Sequence, residues 1–582
     1  MSELVAPYVA YVLPYMPFLI PLPVLVPALA AAVITLGWRN IQIQRVIAML
    51  TLGFQLALAA TFVLVADAEG IQTVQIGGWD APVGITMVVD RLSALMLFVS
   101  AIVLFCVMWF AIAQGVRDGG KNEPVAVFQP TYLLLSMGVN LSFLAGDLFN
   151  LYVGFEVFLV ASYVLLTLGA SPARVRAGLN YVIVSMVSSM IFILAIVGVY
   201  AAVGSVNLAQ VGIRMEGIPD GVRAAVFGTL LVAFGIKAAV VPLDAWLPDS
   251  YPTAPSLVTA IFAGLLTKVG VYTIIRMRST VFTDGFFDDL FLWVALATMV
   301  VGILGAMAQN DIKRLLSFTL VSHIGYMIFG IGVGNALGLS GAIFYAVHHI
   351  LVQTALFLVV GLIERQAGTS SLRRLGSLMY TAPILAVLYF IPAINLGGIP
   401  PLSGFLGKIM LLQAAANEGS WLSWVLIGGA VATSLLTLYV MVLVWSKGFW
   451  RDRKDAPEGQ LASARPAPLS DVTDEVEFSE REDVGKIPFG MFASTATLIA
   501  VSTAITFVAG PLSGMTTRAA QSAQDVTIYR DAVLGDTWSN PGRTLNQHRL
   551  DHGQDRLSER QEPLPEPTAG LDAPNDSAEE DR

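Results

Sequence analysis

The stretch 228–276, GTLLVAFGIKAAVVPLDAWLPDSYPTAPSLVTAIFAGLLTKVGVYTIIR, decides the fold. Its second apolar run, 256–275, is long enough for a membrane helix, since ~20 apolar residues cover ~30 Å of hydrocarbon, and its first, ending at Val241, completes a run that begins before residue 228. Each run also carries one lysine, Lys237 and Lys268, at a depth where bulk water does not hydrate an ammonium. Pro242, five residues after Lys237, removes a helical hydrogen bond and breaks the first run. Irregular backbone at membrane depth is tolerated only where protein or a wet cavity encloses it. The stretch therefore reads as a broken membrane helix followed by a second run, with a titratable amine in each.

A second break of the same kind lies about 160 residues on, in 391–415, IPAINLGGIPPLSGFLGKIMLLQAA. Gly397, Gly398, Pro400 and Pro401 interrupt this run, and Lys408 follows just beyond. Two groups of roughly five helices, each with a broken helix and a lysine near the break, have the internal symmetry of secondary transporters.

The rest of the chain also fits a membrane protein. Of 582 residues 55% are hydrophobic and 13% charged, with mean hydropathy +0.71. A soluble domain carries roughly 25% charged residues. About fourteen apolar runs, centred from Val26 to Ala500, predict an all-α polytopic membrane protein. None alternates with period 2, which excludes a membrane β-barrel. The start, MSELVAPYVAYVLPYMPF, lacks the basic opening of a cleaved signal peptide, so the first run is expected to remain as a helix. QTVQIGGWDAPVGITMVVD (72–90) reads as an extracytoplasmic hairpin with Gly77, Gly78 and Gly84 at its turns.

The expected organisation is 1–129, the first helices and hairpin; 130–280 and 281–450, the two five-helix groups; 451–486, a polar cytoplasmic insertion; 487–510, the last membrane helix; and 511–582, an acidic, disordered tail. The net charge of −9 sits in the polar parts: 511–582 hold 7 basic and 13 acidic residues, and 451–486 hold 6 and 10. Loops containing Arg39, Arg45, Arg117, Lys121, Lys313, Arg314, Arg373 and Arg374 outweigh the opposite loops, which hold Arg214, Arg223, Arg276 and Arg278. By the positive-inside rule both termini are then extracytoplasmic. No basic surface points to nucleic acid. The lone Cys106 makes no internal disulfide or cysteine-based metal site, and no phosphate-binding loop supports direct ATP driving. No cofactor and no metal site is expected.

The chemistry lies in ionisable residues within apolar runs. A charge at mid-bilayer costs on the order of 2.5–3.5 kcal/mol on insertion scales, so such residues are candidates for function. Glu156 is the only carboxylate of its helix and can hold a proton or pair with a lysine. Lys237, Lys268 and Lys408 switch between ammonium and amine according to burial and nearby charge. His323, His348 and His349 can relay protons, and because adjacent helical residues point ~100° apart, one of the last two is expected to face His323. A bis-histidine haem is the competing reading of the histidines. Together these residues predict a lateral row of protonatable groups. Few other polar side chains are present to bind a sugar or peptide.

FNLYVGFEVFLVASYVLL (149–166), GIKAAVVPLDAWLPDSYPTAPS (235–256), LLTKVGVYTIIR (265–276), DIKRLLSFTLVSHIGYM (311–327) and GGIPPLSGFLGKIMLLQA (397–414) resemble the proton-translocating antiporter-like subunits shared by respiratory complex I and Mrp-type Na+/H+ antiporters. The resemblance covers about residues 75–445, and the opening GGWDAPVGITMVVDRLSALM with the overall length most resembles the D-type branch of the Mrp antiporters. It implies fourteen helices with two inverted five-helix repeats. It also implies a Glu156–Lys237 pair, Lys268 as connecting lysine, His323 on the central axis and Lys408 in the second broken helix, where many complex I relatives carry glutamate. Gln353 occupies a position at which many relatives carry lysine.

The expected function is a proton-translocating subunit of a multisubunit Na+(Li+)/H+ antiporter in a bacterial plasma membrane, a transporter and not an enzyme. Its expected partners are other membrane subunits, the lipid bilayer, protons and Na+. The alternatives are a proton-pumping subunit of an NADH–quinone-type redox complex and a stand-alone solute transporter.

Overall fold

A computed structural model describes residues 2–37, 40–115, 127–168, 172–459 and 487–535. Among these the chain is an all-α polytopic membrane protein. Eleven helices are long and apolar enough to cross a membrane, or twelve if the bent pair Val5–Leu19 and Leu22–Leu36 forms one span. This criterion does not reach fourteen, for two reasons. Phe128–Leu144 has 17 residues, and the run around Ile394 is split into Pro383–Gly397 and Ser403–Glu418, of 15 and 16 residues.

Burial separates an axis from a periphery. Ser256–Thr280 and Ala336–Ala367 are buried throughout their apolar windows, whereas Ile41–Glu69 is 39% buried. The axial helices carry Lys268, His348 and His349, and His323 lies beside them in Ile312–Gly332. The outer helices present an apolar side, including Leu50, Met190, Leu194 and Leu435, which needs no partner in hydrocarbon.

Helix starts follow from short polar caps. Asp90, Asp147, Asp311, Asn335 and Ser420 each accept a hydrogen bond from an orphan N–H in the first turn. Asp90 and Ser93 form a reciprocal capping box.

The two predicted breaks are present. Asp220–Ala238 ends with Ala239 at φ +58°, a left-handed conformation costing an L-residue roughly 1–2 kcal/mol. The chain then crosses Pro242 and resumes in Trp246–Ser250 and Ser256–Thr280. Pro383–Gly397 ends at Gly398, φ +82°, where glycine carries no such cost. A third irregularity is not foreshadowed by any proline or glycine pattern. Phe262–Leu266 is a turn of π-helix inside Ser256–Thr280, a distortion that frees backbone carbonyls.

The hairpin is also present. Strands β1, Gln72–Ile76, and β2, Ile85–Val89, pair antiparallel with Gln72 opposite Val89 and Ile76 opposite Ile85. Gly77 and Gly78 turn the chain at φ +81° and +73°. A Cβ on Gly84 would lie 1.9 Å from the Trp79 carbonyl oxygen.

Two expectations need correction. Residues 511–582 do not begin as a structureless tail: Ala509–Gln524 and Val526–Leu534 are helices. Their apolar faces bury Met515, Ala519, Ala520, Tyr529 and Val533, an amount of apolar contact that the segment's polar average conceals. Thr516 and Thr517 meet Ser340, Arg518 pairs with Asp67, and the Thr73 hydroxyl donates to the Ala532 carbonyl. Arg276 and Lys313, assigned to loops, are instead buried helix residues. At the start of the polar segment 451–486, Glu458 pairs with Arg373 and Arg374 and so ties its first residues to the body. Residues 460–486 and 536–582, like Arg39, Arg117 and Lys121, lie outside the described residues.

Arg276 makes a bidentate pair with Asp90, at 2.6 and 3.0 Å, that ties the end of the Ser256–Thr280 helix to the start of Arg91–Gln114. Burial alone would raise the Asp90 carboxyl. The Arg276 charge, its hydrogen bonds and Ser93 outweigh that effect and hold the group below the usual carboxylate range. The folded value lies below the unfolded one, ~3.9. Its contribution is therefore complete above about pH 4 and lost as pH falls through the folded value. Asp90→Asn keeps a capping side chain but leaves Arg276 a buried cation without its anion, which costs about 3–5 kcal/mol. Thermal unfolding should show a lower midpoint for Asp90→Asn at pH 7, and the gap from the wild type should narrow below about pH 4.

Candidate functional site

Lysines beside helix breaks find acceptors that an intact helix would not offer. The Lys408 ammonium donates to the carbonyls of Leu396 (3.1 Å) and Gly397 (3.3 Å) and to Ser434 Oγ (2.9 Å). The two carbonyls are orphans at the end of the broken Pro383–Gly397 helix, and three donors meet three acceptors. The nitrogen also lies 5.1 Å from the centroid of the Tyr326 ring. Lys268, with no exposed surface, donates to the Ala263 carbonyl at 2.5 Å, within the π-helical turn. In both places distorted backbone solvates the ammonium.

Between these lysines lie the histidines, all fully buried. Their hydrogen bonds assign tautomers. Thr437 Oγ1 donates its proton to Thr433 O, so it accepts from His323 Nε2–H at 3.4 Å. His323 Nδ1 then accepts the Tyr345 phenol at 2.6 Å. Ser403 Oγ donates to Asn395 Oδ1, so it accepts from His348 Nδ1–H at 2.9 Å. That leaves the His348 Nε2 lone pair without a protein partner. His349 stacks on His323 at 5.1 Å between ring centroids, and neither of its nitrogens bonds to protein. The expectation that one of the adjacent histidines faces His323 resolves as His349. His348 turns instead to the second broken helix.

Lys268, His349, His323, His348 and Lys408 therefore form one buried cluster. Both lysines act electrostatically on His323 and His349. Buried imidazole nitrogens without a protein partner need another hydrogen-bonding group, and water is the one small enough.

Glu156 and Lys237 form a separate group. Lys237 Nζ donates to Ser189 Oγ at 3.3 Å and lies 5.1 Å from the Phe155 ring centroid. Glu156 acts on Lys237 through space, without an ion pair between them, and its Oε1 makes no hydrogen bond. A cavity of about 20 Å³, room for about one water, adjoins Lys237 and is lined by Ser185, Ser188, Tyr181, Trp246 and Leu266. No hydrogen bond joins Lys237 to Lys268 among the described residues. Their helices do touch: a Cβ on Gly270 would lie 2.8 Å from the Ala238 nitrogen.

Sequence reasoning missed the hydroxyl partners Ser189, Tyr345, Ser403, Ser434 and Thr437, which look unremarkable among apolar residues. It also missed a buried ion pair, Lys313–Glu364 at 2.8 Å, with side chains 3% and 4% exposed. Glu364 in LFLVVGLIERQAG was the available signal, a carboxylate in the last turn of an apolar run.

Residues 145–437 match the family model described as NADH:quinone oxidoreductase/Mrp antiporter, transmembrane. The D-type subunit of the Na+/H+ antiporter of Alkalihalophilus pseudofirmus is 35% identical over 520 residues, covering 89% of this chain and 99% of that one. A chain in the structure of the Mrp complex from Dietzia sp. DQ12-45-1b aligns with TM-score 0.79 at 32% identity, over 89% of this chain and 100% of that chain. A chain of respiratory complex I from Thermus thermophilus shares the fold, with TM-score 0.70 at 23% identity over 87% and 99%. The chain therefore belongs to the NADH:quinone oxidoreductase/Mrp antiporter family of membrane proteins, on the branch of the D-type Na+/H+ antiporter subunits.

Proposed function

We propose that this protein is a proton-translocating subunit of a multisubunit Na+(Li+)/H+ antiporter, and that Glu156, Lys237, Lys268, His323, His348, His349 and Lys408 form its relay. The observation that carries the reading is the buried cluster of two lysines and three histidines, in which His348 and His349 keep ring nitrogens free of protein partners.

The geometry supports a hopping mechanism. The carbonyls at Lys408 and Lys268 favour the ammonium forms. A proton leaving either lysine needs an acceptor within the same enclosure, and His348 Nε2 and the His349 nitrogens supply lone pairs. His323, held from both sides by Tyr345 and Thr437, keeps its orientation while protons pass. Each protonation changes the field at its neighbours, so the sites titrate as a coupled set. The Glu156–Lys237 group joins the cluster through water near the Lys237 cavity.

The protein works beside other membrane subunits in a bacterial plasma membrane, with both termini extracytoplasmic and its two broken helices related as inverted repeats. Identity of 35% to a Na+/H+ antiporter subunit, over nearly the full length of that relative, favours antiport. The redox-complex alternative rests on the shared family model and on fold likeness at 23% identity.

In the assembled complex, Glu156→Ala and Lys237→Ala should each abolish antiport in vesicles, with subunit association unchanged by co-purification. Unchanged antiport in either assembled variant counts against the relay. Tyr345→Phe leaves His323 Nδ1 buried and unpaired, which costs about 1–3 kcal/mol. A lower unfolding midpoint and a slower antiport rate are expected, and an unaltered midpoint would reject the assigned tautomer.

A further inference from the structure

A lateral row of proton sites moves nothing across a membrane until it opens to water at each face. Ser256 and Arg276 mark opposite ends of one helix, separated by 20 residues or about 30 Å. Lys268 lies between, about 18 Å from Ser256 and about 12 Å from Arg276. Each end carries a buried ion pair.

The two pairs differ in chemistry. At the hairpin end, Asp90–Arg276 continues through Arg276 to the Tyr272 hydroxyl at 2.9 Å. A guanidinium does not release its proton in a protein, so this column blocks proton passage. At the other end Lys313 and Glu364 meet at 2.8 Å, and the Ser256 hydroxyl donates to the second Glu364 oxygen. Both partners here can exchange protons, and a buried ion pair is a weak stability device.

We infer that Lys313 and Glu364, with Ser256, form the station through which the relay exchanges protons with water at the end of the bundle opposite the hairpin. The inference rests on the relay reading above and adds its aqueous terminus. The station lies just beneath an exposed surface. Neighbouring Arg314 pairs with Asp249, with side chains 47% and 64% exposed. Asp311 caps the Lys313 helix and accepts from Ser370, and Arg365 follows Glu364.

Inward, one helical face leads from the station to the cluster. Glu364, Val360, Phe357, Gln353 and His349 follow one another at steps of three or four residues. Gln353 Nε2 donates to the Leu316 carbonyl at 2.8 Å, while its Oε1 is buried without a partner and lies one turn from His349. Val360 and Phe357 keep the three turns between Glu364 and Gln353 apolar. In one cycle the Lys313 ammonium passes a proton inward and is left as an amine beside the Glu364 carboxylate, which must first be protonated from the aqueous side before it hands that proton to the amine. Uptake by Glu364 and transfer to Lys313 restore the ammonium–carboxylate pair with one proton moved and no net change of charge.

The test is antiport by the assembled complex in proteoliposomes, measured across pH. Lys313→Arg keeps the cation and the pairing but cannot give up a proton. Glu364→Gln keeps the shape and removes the base. Each should lower the rate at least tenfold with subunit association intact, and Glu364→Gln should also move the pH profile. Wild-type rate and profile in assembled Lys313→Arg overturn the inference and reduce the pair to a structural tie. If Lys313→Arg does not assemble, Glu364→Gln decides alone, by the same outcomes. Lys237→Ala in the same assay separates the two readings: inactive beside an active Lys313→Arg, it sinks only this inference; active, it sinks the relay.

Discussion

Hydrocarbon solvates neither a free carbonyl nor an ammonium, and this chain places the two together. A helix interrupted within the membrane leaves carbonyls unmatched, and a lysine at the same depth carries three unmatched donors. At Lys408 the broken helix ends in the Leu396 and Gly397 carbonyls that the ammonium fills. At Lys268 a π-helical turn performs the same service with Ala263. At these two places each element supplies the partner that the other lacks.

That mutual solvation has chemical consequences. An ammonium held by backbone carbonyls and not by a carboxylate has no fixed counter-charge beside it, and so responds to neighbouring charges. Side-chain hydroxyls complete the arrangement by assigning the histidine tautomers: Thr437 and Tyr345 grip His323, and Ser403 grips His348. His349, stacked on His323 and held by no protein hydrogen bond, is the member with both ring nitrogens available. The buried salt bridges Asp90–Arg276 and Lys313–Glu364 stand at helix ends and not within the cluster.

Much of this was legible in the sequence. Pro242 and the Gly398–Pro401 segment announced both breaks because proline and positive-φ glycine act locally. The hairpin was legible for the same reason. Lysines and histidines in apolar runs named the cluster, since charge at that depth is rare enough to mean something. The π-turn at 262–266, whose Ala263 carbonyl accepts from Lys268, was not legible, because FAGLL is ordinary helix-forming sequence. Lys313 was hidden by lying where a helix meets a loop, so it was counted as loop charge, and its partner Glu364, in the last turn of its helix, was not singled out. Helices 509–524 and 526–534 were hidden by a polar tail whose average composition masks a buried apolar face.

The central claim is that the buried lysines exchange protons and are not fixed charges. Antiport by the complex carrying Lys408→Arg tests it most directly, because a guanidinium can meet the Leu396 and Gly397 carbonyls but does not deprotonate. The account predicts an assembled, folded complex with antiport lost. Wild-type antiport with arginine at this position would contradict it.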